Sequence, residues 1–354
     1  MNIIHSECNQ RRLYKFLNCF VQHAAMKKTL NSLYRLKNNQ ILGGEQQCML
    51  ITGDTGSGKS ALIKEFSSAF PSYEENGVLI QPVLVSRIPS KPDVEKMMIE
   101  LMNDLGQFGS EARKGRRREI GLAEALVKML KVCKTQIIII NEFQELIEFK
   151  SVEDRQRIAN RLKLISEQAG IPVVLVGMPW ASEISNEPQW ASRLMCKIEL
   201  PYFKFLNEDD RKEFTCFVKG LACRMGYEKP PKFEIDEILF PLFSATRGEA
   251  RKVKHILSEA LSLALWRGEN TVHQQHLAEV MDSAFFYEDN PFKLPLNEVP
   301  LCEVSKYAGS GPAAKKKKLD GSGSYNRYST VESDMFVSTQ FTPKIPTKVL
   351  FSKS

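Results

Sequence analysis

The chain has 354 residues, 43% of them hydrophobic, and carries a net charge of +7. That length and composition allow a sizeable buried core spread over two or three domains. No apolar run approaches the roughly 18–20 residues of a membrane span, and Met1 to Glu7 lack a basic stretch leading into an apolar one, so neither secretion nor membrane insertion is expected.

In chain order, Leu13, Phe16, Leu17 and Phe20, then Leu30, Leu33, Tyr34 and Leu36, recur at helical spacing and predict an N-terminal helical segment within residues 1–45. Residues 46–205 alternate short apolar runs with helical patterns. The runs are Cys48 to Thr52, Val78 to Val85, Ile137 to Ile140, Pro172 to Val176 and Lys197 to Leu200. Five strands separated by helices predict an α/β domain with a parallel sheet covered on both faces. From 206 to 290 the pattern is helical throughout and predicts a small lid domain, with helices over 208–224, 234–244, 248–266 and 273–287. Residues 291–308 read as a Pro-spaced linker. Residues 324–354 read as a flexible tail whose Phe336, Phe341 and Phe351 suit docking on a partner.

Between linker and tail, residues 309–323 hold Lys315 to Lys318 between matching Gly-Ser-Gly spacers. This segment resembles a nuclear localisation signal, and its symmetrical spacers mark it as an engineered insert. With Asp320 it supplies +3 of the +7, leaving +4 for everything else. Bulk charge is therefore a poor argument for nucleic-acid binding. The eight cysteines form no C-x-x-C pair and read as small core residues in a reducing compartment.

The strongest chemical signal is Gly53-Asp54-Thr55-Gly56-Ser57-Gly58-Lys59-Ser60, followed by Ala61, a complete G-x-x-x-x-G-K-S run between a strand and a helix. Glycine-rich backbone lets N–H groups surround phosphates, Lys59 supplies charge to the β and γ oxygens, and Ser60 offers a hydroxyl to Mg²⁺. The pattern predicts an ATP and Mg²⁺ site. Its partner should be an apolar strand ending in an acidic pair. Ile137-Ile138-Ile139-Ile140-Asn141-Glu142 fits, with Glu142 placed to polarise the attacking water. Asn141 stands where an aspartate would help hold the metal shell. It brings no charge, so weak Mg²⁺ binding and slow hydrolysis are expected.

One strand, Val78 to Val85, intervenes between the nucleotide strand and the acidic strand, which separates additional-strand ATPases from kinase-like P-loop proteins. Two arginines resemble features of AAA+ rings. Arg193 precedes the fifth strand, where such rings place a finger reaching a neighbour's γ-phosphate, and Arg251 lies early in a lid helix, as a sensor-2 arginine does. The fold expected is therefore an AAA+ P-loop NTPase, a five-stranded parallel sheet flanked by helices and followed by a helical lid.

On these motifs the chain resembles the TnsC/TniB family of AAA+ transposition regulators. Asn141-Glu142-Phe143-Gln144-Glu145-Leu146 is similar to the family's D-E-x-Q/H-x-L run. Val174 to Pro179 is similar to its V-G-T-P element, and Ile88 to Pro92 to the segment after its second strand. The resemblance spans about residues 15–285 and looks closest to members serving CRISPR-associated transposons. It implies a homo-oligomeric ring or filament on duplex DNA that links a TniQ-containing target-selection complex to the TnsA/TnsB transposase. It also implies a bacterial cytoplasm as the native compartment, the insert addressing this chain to a nucleus.

Arg113, Lys114, Arg116, Arg117 and Arg118, five cations within six positions, suit phosphate contacts with DNA, with Lys91 a lesser candidate. A solvated basic loop or a subunit contact is the other reading of that cluster. Trp180 and Trp190 read as core or subunit packing. Besides Asn141, Met178 departs from the family pattern, because it occupies the expected polar sensor-1 position and cannot hydrogen-bond phosphate or water. Two alternatives stay open: a replication initiator or loader ATPase, and a nucleotide-binding scaffold that hardly hydrolyses.

Overall fold

The computed structural model describes residues 7–43, 47–89, 93–106, 119–149, 152–284, 290–307, 309–310, 336–337 and 339–351. The N-terminal segment is two helices, α1 (Glu7–Leu17) and α2 (Ala24–Ile41), separated by an extended turn. The α/β part follows with β1 (Cys48–Thr52), α3 (Lys59–Ser68), β2 (Tyr73–Glu75), β3 (Val78–Ile80), β4 (Val83–Arg87), α4 (Val94–Asp104) and α5 (Glu119–Val132). It continues through β5 (Ile137–Asn141), α6 (Gln144–Phe149), α7 (Val152–Ala169), β6 (Val173–Gly177), α8 (Pro188–Ala191) and β7 (Leu194–Glu199).

The five-stranded sheet has the order β4-β5-β6-β1-β7, and every pairing is parallel. Successive strand residues point to opposite faces, and both faces are covered. Cys48, Leu50, Ile138 and Ile140 pack with α4, α5 and α7. Met49, Ile51, Ile137 and Ile139 pack with α2 and α3. This two-sided burial is why the strands read as unbroken apolar runs.

Two details of the sheet differ from expectation. The run Val78–Val85 is not one strand, because Asn76-Gly77 makes a tight turn, both residues at positive φ, that pairs β3 with β2 outside the main sheet. The sheet strand begins only after Pro82, and it lies at the sheet's edge. The strand that separates β1 from β5 in space is β6, the fourth of the five sheet strands along the chain. The additional-strand architecture stands, but a different strand creates it.

The lid comprises α9 (Glu208–Ala222), α10 (Asp236–Thr246), α11 (Ala250–Arg267) and α12 (Gln274–Ala284). Its core is aromatic. Phe205 stacks on Phe243 with centroids 4.5 Å apart and meets Phe240 edge-on at 4.9 Å, while Phe203 stacks on Phe217 at 4.6 Å. Phe16 of α1 is fully buried in this same cluster. Thus α1 belongs to the lid and α2 to the sheet, and the turn between them bridges the two.

The sequence beyond Asn290 reads as linker and free tail, and here the structure differs again. The remaining elements are β8 (Pro300–Leu301), β9 (Val304–Lys306), β10 (Gly309–Ser310), β11 (Phe336–Val337), β12 (Gln340–Phe341), β13 (Ile345–Pro346) and the helical turn α13 (Lys348–Phe351). They form antiparallel pairs β10-β11, β9-β12 and β8-β13. The hairpin lies on the lid. Glu303 accepts hydrogen bonds from Phe205 N (3.0 Å) and Leu206 N (3.1 Å), the buried Thr347 hydroxyl donates to Val299 O (2.8 Å), and Phe351 packs on Phe240 at 5.7 Å. Pairs of two or three residues are too short for alternation to register in sequence. Residues 311–335, which hold the Lys315–Lys318 run read as an insert and the first part of the expected tail, lie outside the described residues.

All eight cysteines are free thiols; Cys48, Cys133 and Cys302 are buried, whereas Cys8, Cys216 and Cys223 are exposed. No described helix is long and apolar enough to cross a membrane. Because the hairpin's return arm covers the lid core, a chain ending at residue 335 is expected to melt several degrees below the full chain by circular dichroism. An unchanged melting temperature would contradict the packing of residues 339–351 on the lid.

Candidate nucleotide-binding site

The loop from Gly53 to Gly58 connects the C-terminal end of β1 to the N-terminus of α3, so its backbone N–H groups and the helix dipole converge on one spot. Two glycines are obligatory here. Gly58, which precedes the helix, has φ of +99°, and a Cβ on it would lie 2.4 Å from Met26 Cε. Gly56 has φ of +75°, and its Cβ would lie 2.1 Å from Glu249 Oε1 of the lid.

The half-buried Lys59 ammonium donates to Gly53 O at 2.7 Å and Asp54 O at 3.0 Å, so the loop's own carbonyls hold it inside the curve. Burial lowers its pKa to about 8, against the opposing pull of Glu142 and Asp54, while the neighbouring Arg251 lowers it further. The Asp54 carboxylate accepts from Thr55 N (2.7 Å) and from the Thr339 hydroxyl of the C-terminal hairpin. Tyr202 Oη donates to Thr55 O at 2.5 Å, and Arg251 N donates to Gly56 O at 3.1 Å. The loop is therefore braced by the lid, the connection into it and the hairpin.

Beside the loop opens a cavity of about 280 Å³. One wall is Gly56, Gly58, Lys59, Ser60 and Ala61; another is Ala250, Arg251 and Lys254 of α11; the third is the turn between α1 and α2, with Cys19, Phe20, Val21 and His23. Lys254 Nζ fixes that turn by donating to Leu17 O (2.8 Å) and Cys19 O (2.7 Å). His23 lies edge-on to Phe203 (4.9 Å), and burial lowers its pKa to about 4, which keeps the ring neutral. The lining combines the cations Lys59, Arg251 and Lys254 with the apolar Phe20, Val21 and Phe217, a mixture suited to a nucleotide's phosphates and base.

Asn141 closes β5, the neighbour of β6, and Glu142 follows it, at the same C-terminal end of the sheet as the loop. Glu142 faces solvent at φ of +55°, and Asn141 O accepts from Ile88 N at 2.9 Å. Gln144 Nε2 donates to Glu142 Oε2 at 2.5 Å. The proposed metal donors, Ser60 and Asn141, are neutral, and among the described residues no three His, Cys, Asp or Glu side chains cluster to hold a metal. Such a donor set fits Mg²⁺ only in company with polyphosphate oxygens, the usual way this ion binds.

Arg251 lines the cavity, but Arg193 does not. Arg193 O accepts from Cys48 N (2.9 Å) at the opposite end of β1, and its guanidinium pairs with Glu167. Trp190 is buried, and Trp180 Nε1 donates to Glu148 Oε1 at 3.0 Å, so both pack within the chain. Lys91, Arg113, Lys114, Arg116, Arg117 and Arg118 lie outside the described residues. Sequence patterns missed Tyr202, Glu249 and the 19–23 turn. Only the break in helical spacing after Phe20 hinted at the turn; the other two depend on tertiary contact.

Comparison with known proteins agrees with this architecture. Solved structures of similar fold include the Aeropyrum pernix ORC2 protein, with a TM-score of 0.55, 19% identity, and coverage of 72% of this chain and 67% of that one. The Aeropyrum pernix ORC1 protein in complex with DNA aligns at 0.54 and 17% identity over 77% and 69% of the two chains. Cdc6p from Pyrobaculum aerophilum aligns at 0.54 and 14% identity over 78% and 72%. No curated protein matches the sequence. The fold is that of AAA+ ATPases. The profile of the bacterial TniB protein family matches residues 14–205, more than half of the chain, and the chain belongs to that family.

Proposed function

We propose that this protein is an ATP-dependent regulator of transposition that assembles as a ring or filament on duplex DNA. The observation that carries the reading is the cleft in which the Gly53–Ser60 loop, the lid residue Arg251 and the α1–α2 turn meet around a cationic, partly apolar cavity. Complexes of Aeropyrum pernix ORC2 with ADPNP and ADP support nucleotide as the ligand, and the ORC1 complex supports DNA. Family membership supports the role in transposition, and the partners proposed are a TniQ-containing complex and the TnsA/TnsB transposase. Duplex backbone would meet Arg113, Lys114, Arg116, Arg117 and Arg118, with Lys91.

In this reading the backbone from Gly53 to Ala61 wraps the phosphates, and Lys59 exchanges its two carbonyl partners for phosphate oxygens. Glu142 polarises the attacking water, and Arg251 steadies charge from the lid side. Ser60 and Asn141 would hold Mg²⁺, which neutralises charge on the β and γ oxygens. Arg193, a strand's length from its own loop, serves a neighbouring subunit's γ-phosphate, so turnover depends on assembly. A second reading, a scaffold with little hydrolysis, is favoured by the neutral Asn141 and by Met178. A replication loader shares the chemistry, but the likeness to ORC and Cdc6 is one of fold.

Three outcomes test this. With ATP, Mg²⁺ and duplex DNA at low salt, mass photometry is expected to find closed or filamentous oligomers; a persistent monomer contradicts the assembly. Phosphate binding should re-protonate Lys59, so labelled-ATP affinity should be level near pH 7 and fall by up to about tenfold per unit above pH 8. A flat profile to pH 9.5 would remove Lys59 from the phosphate site. Asn141→Asp should raise turnover severalfold if missing metal charge limits the rate, and an unchanged kcat would refute that explanation.

A further inference from the structure

We infer that Gln144 is the positioning residue of the hydrolytic site, fixing the Glu142 carboxylate to the end of β6 in place of the polar side chain that position 178 lacks. The inference rests on the proposed ATPase activity and goes beyond it by assigning this residue.

Gln144 opens α6, yet only 4% of it is exposed. A buried amide requires partners at both ends. Its Oε1 accepts from Met178 N at 3.1 Å. A backbone N–H can meet only the amide's oxygen, so this bond sets the amide's orientation and leaves Nε2 to donate to Glu142 Oε2 at 2.5 Å. The carboxylate and the first residue after β6 are thereby joined through one side chain.

The surroundings permit little else. Phe143 N donates to Val176 O at 3.0 Å, so the backbone between the two ends is itself tied to β6. A Cβ at Gly177 would lie 2.8 Å from Gln144 Oε1, so the amide occupies the space that a larger residue there would take. Glu142 adopts φ of +55°, a conformation disfavoured for residues with a Cβ and maintained only where neighbours impose it. Met178 contributes through its backbone N–H, which is indifferent to its side chain. That is how an apolar residue is tolerated beside the chemistry.

In the reaction the water oxygen bonds to the γ-phosphorus while the bond from that phosphorus to the β–γ bridging oxygen breaks. ADP departs, and the water's proton passes to Glu142. Gln144 touches none of the reacting atoms. It limits the directions in which the carboxylate points.

The test is steady-state ATP hydrolysis by the full chain on duplex DNA, with labelled-nucleotide affinity measured in parallel, for Gln144→Ala, Gln144→Glu, Glu142→Gln and the double variants. Gln144→Glu matches the original shape but cannot donate to a carboxylate in its ionised form. Both Gln144 variants are expected to lower kcat by about tenfold, with KM and nucleotide affinity within about twofold. In the Glu142→Gln background neither should lower kcat further, because the group they position is already absent. Wild-type turnover by Gln144→Glu beside an inactive Glu142→Gln would overturn this inference alone. An equal loss in both backgrounds would do the same. Wild-type turnover by Glu142→Gln would overturn it together with the assignment of Glu142 as the base.

Discussion

The Lys59 ammonium, half-buried at the end of a parallel sheet and held by two carbonyls of its own loop, is the interaction around which the site is organised. A cation withdrawn from water must be paired, and here the partners are Gly53 O and Asp54 O rather than a carboxylate. Pairing with neutral carbonyls keeps the loop in its phosphate-ready curve without satisfying the charge fully, which is why burial lowers the lysine's pKa. A polyphosphate would complete what the carbonyls begin. The same curve brings Gly56 against Glu249 and Arg251, so the shape of the loop and the seat of the lid are one arrangement.

That coupling extends to both ends of the chain. Lys254 reaches from the lid to the carbonyls of Leu17 and Cys19, fixing the turn that walls the cavity. Thr339, near the other end, bonds Asp54 within the loop itself. Arg193 is placed otherwise: its strand runs parallel to β1, and it precedes the end remote from the loop. Parallel strands force this separation, and the role proposed for Arg193 is accordingly toward a neighbouring subunit's site.

Much of this was legible in sequence where one rule dominates. The Gly53–Ser60 run specifies its own backbone shape, and Ile137–Ile140 can only be a strand buried on both faces. Legibility failed where two signals competed or none was long enough. Val78 to Val85 looked like one strand, although Asn76-Gly77 before it and Pro82 within it mark a hairpin and a restart. The C-terminal hairpin pairs two or three residues at a time, below the length at which alternation emerges. Gln144 was visible within a motif, but its partner at Met178 is 34 positions away and is a backbone group, which sequence does not mark.

The central claim is that three separated stretches, the α1–α2 turn, the Gly53–Ser60 loop and the start of α11, form one nucleotide site. Amide hydrogen exchange of the full chain with and without ATP and Mg²⁺ tests it most directly. The prediction is added protection in all three stretches together, residues 18–26, 53–61 and 249–254. Protection confined to 53–61, with the turn and the lid exchanging as before, would contradict it.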